Sequence, residues 1–158
     1  YLNELDTNLS ILDSSIRTGN SMADAILNIK VSLAKAREID VRVDAHIPVK
    51  LKISEIDLCC ILGNLFDNAI DASMALPPQN RLIRVYMDMK GSRLYISFTN
   101  FTSQKKLGKL GRVFATTKGL GHGLGLSRIE NIVEKHDGYL SFNSEDGAFT
   151  AEILLPQE

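Results

Sequence analysis

A chain of 158 residues with a formal net charge of −1, 44% apolar and 23% charged residues has the composition of one globular domain with a sizeable core. A near-neutral charge with no long basic run argues against nucleic acid as a partner. No apolar run reaches the roughly 18 residues that a spanning helix needs, so this fragment is not expected to touch a membrane.

The chain opens at Tyr1 without a methionine or a signal peptide, and reads as a fragment whose parent continues upstream. Residues 1–18 carry Leu2, Leu5, Leu9, Leu12 and Ile16 at spacings of three and four, one apolar stripe on a helix. That helix is expected to pack on a partner rather than on this domain. Gly19-Asn20-Ser21 breaks it, with Asn20 or Ser21 placed to cap the next one. The second helix is expected over about 22–38, with Met22, Ile26, Ile29, Leu33 and Ala36 facing inward.

Val41 to Ile47 alternates with period two and reads as a strand ending at Pro48, with His46 in it as a structural residue. Ser54 is placed to cap a long helix over about 55–75, with Glu55 and Asp57 complementing the dipole in its first turn. Leu58, Ile61, Leu62, Leu65, Phe66, Ala69 and Ile70 form its expected buried face, and Pro77-Pro78 ends it. Within it, Cys59 and Cys60 read as two buried thiols in a reducing compartment, since neighbouring cysteines have the wrong spacing for zinc.

Residues 82–90 and 93–100 read as a hairpin turning at Lys90-Gly91-Ser92. Residues 101–122 show no sustained period and carry four glycines. A loop of that length in a compact domain suggests a lid or a binding segment. Leu124, Leu126, Ile129, Ile132 and Val133 define a last helix closing near Gly138, with His136 as a structural residue at its end. Strands Tyr139–Asn143 and Ala148–Leu155 follow, turning at Glu145-Asp146-Gly147. The expected fold class is α+β, a mixed sheet covered by helices on one face.

Two segments carry chemistry. On the 55–75 helix, Asn64, Asn68, Asp71 and Ala72 share a stripe beside the buried face. Asparagine is a poor mid-helix residue; the stripe is either a solvated polar face or a source of carboxamide oxygens for Mg²⁺, an ion that takes few protein oxygens alongside phosphates. The second segment is Thr117-Lys118-Gly119-Leu120-Gly121-His122-Gly123-Leu124-Gly125-Leu126. Its register fits neither a Rossmann nor a Walker loop. It reads as a mobile turn, or as glycines whose backbone N–H groups meet phosphates at a helix N-terminus, with Lys118 as a point charge. His122 is either solvated or a donor to a phosphate. Taken together, the two segments suggest a metal–nucleotide pocket.

Asn64-x-x-x-Asn68-Ala69 with Gly121-His122-Gly123-Leu124-Gly125-Leu126 resembles the N box and glycine box of the GHKL (Bergerat-fold) ATP-binding superfamily. Within it, the chain is similar to the catalytic domains of sensor histidine kinases, of the Agr-type and LytS-like subgroup. The resemblance spans about residues 20–156. It implies a two-layer α/β sandwich with a mobile lid over ATP, in which residues 1–18 are the tail of the dimerisation and phosphoacceptor helix and 19–158 the catalytic domain. By resemblance Asn68 is the Mg²⁺ ligand, Asn64 lies near the triphosphate, and Asn64, Asn68 and Lys118 are catalytic. Asp71, Asn100, Thr117, Gly119, Gly121, His122, Gly123, Leu124 and Gly125 complete the nucleotide site.

One departure is Asn100 in Phe98-Thr99-Asn100-Phe101-Thr102-Ser103, where the superfamily usually has D-x-G-x-G with the aspartate on the adenine amino group. An amide oxygen still accepts, in a neutral bond weaker by about 1 kcal/mol. The resemblance also implies an upstream phosphoacceptor helix of the same or a partner subunit, a homodimeric parent, a response regulator, and a cytoplasmic domain of a membrane-anchored bacterial sensor. A GHKL ATPase would carry a glutamate where this chain has Asn64, which cannot serve as a base. A degenerate signalling module without nucleotide is the remaining alternative.

Overall fold

The computed structural model describes residues 16–103 and 120–157, with backbone alone for 120–124. The elements are α1 (Ser21–Ala36), β1 (Asp40–Ala45), α2 (Glu55–Ser73), a 3-10 turn (Pro78–Asn80), β2 (Leu82–Lys90), β3 (Arg93–Phe101), α3 (Leu120–Lys135), β4 (Tyr139–Glu145) and β5 (Ala148–Pro156). The five strands form one sheet in the order β1-β2-β3-β5-β4. β1 runs parallel to β2 and the other pairs are antiparallel, so the sheet is mixed and the class α+β, as expected.

Period two divides the sheet into two faces. On β3, Leu94, Ile96, Phe98 and Asn100 are buried while Tyr95, Ser97 and Thr99 are half-exposed. The buried row meets α2, whose seven expected core residues, Leu58 to Ile70, are all buried. The opposite face carries polar cross-strand pairs, Tyr95 Oη to Glu152 Oε2 at 2.9 Å and Thr99 to Thr150 at 2.9 Å. Two layers with a single core between them result.

The helix ends follow capping chemistry. Asn20 Oδ1 accepts from the Ala23 N–H at 3.1 Å and caps α1, and Ser54 Oγ accepts from the Asp57 N–H at 3.1 Å and caps α2. α1 and α3 both end in a Schellman arrangement. The Ile39 N–H donates to the Ala34 carbonyl and the Gly138 N–H to the Val133 carbonyl, with Glu38 (φ 58°) and Asp137 (φ 54°) in the left-handed position. Gly138 admits no side chain, because a Cβ there would lie 2.6 Å from the Leu154 carbonyl oxygen.

Several expectations are corrected. Residues 1–15 lie outside the described residues, and 16–18 are not helical. They form a strap held to α1 by side chains: Asn28 Oδ1 accepts from the Ile16 N–H at 2.8 Å, and Asp24 Oδ1 from the Thr18 N–H at 2.6 Å. The inward face of α1 is Ala23, Leu27, Val31 and Ala34. Of the stripe read from the sequence, Met22 and Ile26 are half-buried, while Ile29 (63%), Leu33 (40%) and Ala36 are exposed. Two alanines in the buried row let α1 approach its neighbours closely, which the larger residues of the neighbouring stripe would prevent. β1 ends at Ala45, so His46 follows the strand; its side chain is exposed and sits 3.1 Å from Asp44. Cys59 and Cys60 are half-buried rather than buried. β3 extends to Phe101, and α3 begins at Leu120, four residues before Leu124. Among the described residues no helix is long and apolar enough to cross a membrane.

At the far end of the helical layer Asp57 Oδ2 lies 3.0 Å from His136 Nε2 and 3.1 Å from Lys135 Nζ, tying the start of α2 to the end of α3. The hydrogen bond from His136, then that from Lys135, holds the Asp57 carboxyl below the usual carboxylate range. A depressed folded pKa stabilises above the ordinary carboxylate pKa and is lost as pH falls through the folded value. Asp57→Asn is therefore expected to cost about 1 kcal/mol near neutral pH. The gap from the parent should close in acid; denaturant titrations from pH 7 to pH 2.5 would show it, and a gap independent of pH would remove the ion pair from the explanation.

Candidate functional site

α2 and α3 lie antiparallel. His136, at the C-terminal end of α3, meets Asp57, in the first turn of α2, while Gly125, near the start of α3, meets Asn64 midway along α2. The fold thus brings the asparagine helix and the glycine segment together. A Cβ on Gly125 would stand 2.8 Å from Asn64 Oδ1, closer than real contacts allow, so glycine is what permits this approach. Asn64 Nδ2 donates to the Cys60 carbonyl at 2.7 Å and approaches Cys60 Sγ at 3.3 Å. These bonds back along the helix fix the amide with its oxygen toward α3. The Cys59 thiol is pushed up, first by burial and then by the Glu55 charge, which makes it a poor nucleophile.

Beside this contact lies a cavity of about 210 Å³. α2 contributes Asn68, Asp71 and Ala72, β3 contributes Phe98 and Asn100, and Leu126 of α3 and Phe149 of β5 close it. Three of the expected site residues, Asn68, Asp71 and Asn100, therefore share one space. Asn64 does not line it and instead faces Gly125. Asn100 is 4% exposed, and its Nδ2 donates to the Phe101 carbonyl at 3.1 Å. With the amide nitrogen engaged there, the oxygen is the group available to a ligand's N–H.

The first four N–H groups of α3, at Leu120–Gly123, have no acceptor within the helix, the usual condition for anion binding at a helix start. Gly121, His122, Gly123 and Leu124 thus belong to the first turns of a helix rather than to a loop, and only their backbone is described. Thr117, Lys118 and Gly119 lie outside the described residues.

The sequence reading missed the apolar walls. Phe98 could have been found from the alternation that buries Asn100, since residues two apart on a strand share a face. Phe149 is the register partner of Asn100 across β3 and β5, and pairing of distant strands leaves no mark in local sequence. Thr102 and Ser103 also line the cavity, just past the end of β3.

Residues 53–156 match the family model described as GHKL domain. The chain belongs to the GHKL domain family. Among its relatives is the sensor histidine kinase ZraS of Escherichia coli K12, 31% identical over 142 residues, or 87% of this chain and 30% of that protein. Sporulation kinase C of Bacillus subtilis 168 is 30% identical over 122 residues, 71% of this chain and 28% of the relative. The chain thus spans about three-tenths of the length of these relatives. Its fold is that of the catalytic domain of histidine kinase ThkA, with a TM-score of 0.69 at 21% identity over 89% of this chain and 93% of that one. Acinetobacter baumannii histidine kinase AdeS superposes with a TM-score of 0.67 at 13% identity, covering 99% of this GHKL chain and 77% of that one.

Proposed function

We propose that this GHKL domain is the ATP-binding catalytic domain of a sensor histidine kinase, passing the γ-phosphoryl group of ATP to a histidine on a helix of the parent protein. The observation that carries the reading is the cavity shared by Asn68 and Asn100, beside the Asn64–Gly125 contact. The base is assigned to the walls formed by Phe98, Leu126 and Phe149, with Asn100 Oδ1 as the acceptor for its exocyclic amino group. Apolar walls with one convergent polar acceptor suit a flat heterocycle.

The polar side of the cavity offers hard oxygen donors, the Asn68 amide and the Asp71 carboxylate, which fit a small divalent cation. Mg²⁺, when bound with the nucleotide, neutralises charge on the phosphates. Asn68 is assigned to hold it, and the N–H groups at the start of α3 and Lys118 are assigned to the phosphate oxygens. The remaining work is positioning and exclusion of water, with the attacking imidazole supplied from outside this chain. Thr117, Gly119 and His122 complete the assigned contacts by resemblance alone. Asn64, tied to Cys60 and turned to Gly125, carries no carboxylate to orient a water molecule, which favours phosphoryl transfer to a side chain over hydrolysis. A homodimeric parent, a response regulator, an Agr-type or LytS-like affiliation and anchoring of the parent in a membrane belong to the same reading.

Calorimetric titration of the chain with ATP, with and without Mg²⁺, tests it directly. Magnesium-dependent binding in the micromolar to millimolar range is expected, on the order of 4–8 kcal/mol. No heat at millimolar nucleotide in either condition would remove the assignment.

A further inference from the structure

α1 carries two apolar stripes, and only one of them is buried. Ala23, Leu27, Val31 and Ala34 face the core, while Met22, Ile26, Ile29, Leu33 and Ala36 repeat at spacings of four and three on the other side. In this second stripe Met22 and Ile26 are half-buried, Ile29 is 63% exposed and Leu33 40%. A heptad spacing is the pattern of a helix that meets another helix. Leu2, Leu5, Leu9, Leu12 and Ile16 repeat with the same spacing. Of these, Ile16 alone is among the described residues, half-buried and packed against the core.

The strap between the two stripes fixes a direction. Asp24 Oδ1 accepts from the Thr18 N–H and from the Thr18 hydroxyl, both at 2.6 Å. One turn further along α1, Asn28 accepts from the Ile16 N–H at 2.8 Å and donates to the Ile16 carbonyl at 3.1 Å. From Thr18 back to Ile16 the chain therefore runs antiparallel to α1, toward Leu33 and Ala36. Charge follows the same direction. Residues 1–15 carry Glu4, Asp6 and Asp13 and no lysine or arginine, whereas α1 from Ile29 to its cap at Arg37 carries Lys30, Lys35 and Arg37 and no acid.

We propose that residues 1–15 dock as a helix on the exposed stripe of α1, antiparallel to it. The bonds of Ile16 and Thr18 set the register, in which Leu12 falls against Ile29 and Leu33, and Leu9 against Ala36. The same register sets Asp13 beside Lys30, which bridges to Asp67 at 2.7 Å, and Asp6 beside Arg37. Apolar layers flanked by opposite charges meet both requirements of a helical pair. The tether gives the segment an effective concentration of about millimolar, which a second copy or a separate protein lacks in dilute solution. α1 and α2 run parallel, since Lys30 meets Asp67 and a Cβ on Gly63 would lie 3.9 Å from Ile26. The docked segment thus carries the start of this chain toward the end of the helical layer where Ala72 and Ala75 line the cavity. The inference stands independently of what that cavity binds.

Disulfide trapping in the whole chain tests it, in a Cys59→Ser/Cys60→Ser background. Leu9→Cys/Ala36→Cys is compared with Leu9→Cys/Ala25→Cys, Ala25 being exposed near the other end of α1. The first pair is expected to cross-link within one molecule about ten-fold faster than the second. Leu12→Glu should bring its rate down to that of the second pair. Equal rates for the two pairs, or a cross-link that forms only between two molecules and so assigns the stripe to a second copy, overturn the proposal. A second reading needs no cysteine. Leu33→Glu, at an exposed position, should speed amide exchange over residues 5–14 about ten-fold in an otherwise unsubstituted chain. Exchange equally fast in both proteins overturns the docking as well.

Discussion

If the parent protein is the kinase proposed above, Asn68→Ala in it is expected to lower metal-dependent phosphoryl transfer by about 10²–10³-fold, the usual consequence of losing one preorganised group that faces developing charge. The fold should be untouched. Asn68 is half-buried on the cavity side of α2, not among the residues that fill the core. Alanine is also the better mid-helix residue by about 0.5 kcal/mol, so the melting temperature should hold or rise slightly. The measurement is incorporation of labelled γ-phosphate over time, with magnesium varied, beside a denaturation curve. Raised magnesium should restore part of the rate if the amide oxygen holds the ion. Undiminished transfer would take Asn68 out of the mechanism, and a loss of rate matched by a loss of stability would assign it a packing role instead.

Phe66→Ala carries the largest expected cost in stability. Phe66 is fully buried, and its ring meets Phe98 edge to face, with centroids 5.3 Å apart and planes at 83°. Truncation removes a full aromatic side chain from between α2 and the sheet, a change that costs about 3–5 kcal/mol in well-packed cores. The second consequence is functional. Phe98 lines the cavity on one side and leans on Phe66 on the other. With that support gone, adenosine affinity should fall even where the protein remains folded. Urea denaturation gives the first quantity and adenosine titration the second. A loss under about 1.5 kcal/mol would mean that the core closes over the gap.

The long helix α2 was legible almost entirely. Its apolar residues repeat with a helical period that no other face competes with, and Ser54 marks its start by a local hydrogen bond to the Asp57 N–H. The β2–β3 and β4–β5 hairpins were legible for the same kind of reason, since alternation and the turn glycines Gly91 (φ 64°) and Gly147 (φ 82°) act within a few residues. α1 was not. Its apolar residues support two overlapping stripes one position apart, and only packing against the rest of the domain selects Ala23, Leu27, Val31 and Ala34. The start of α3 was hidden by its glycines, whose weak helix propensity reads as loop although the backbone is helical from Leu120.

Most of the elements, the α+β class and the residue types on which the site depends follow from local order in the chain, because caps, turns and period are properties of neighbours. The asparagine helix and the glycine segment could be paired in advance by their complementary chemistry and by resemblance, not by any local contact. The tertiary structure alone decided which of those residues share a space. Antiparallel packing of α2 on α3 turns Asn64 to Gly125, while the register of β3 on β5 sets Asn100 beside Phe149 and across the cavity from Asn68 and Asp71. These are contacts between residues far apart in sequence. They depend on volume and on strand register, quantities that become defined only when the whole core closes.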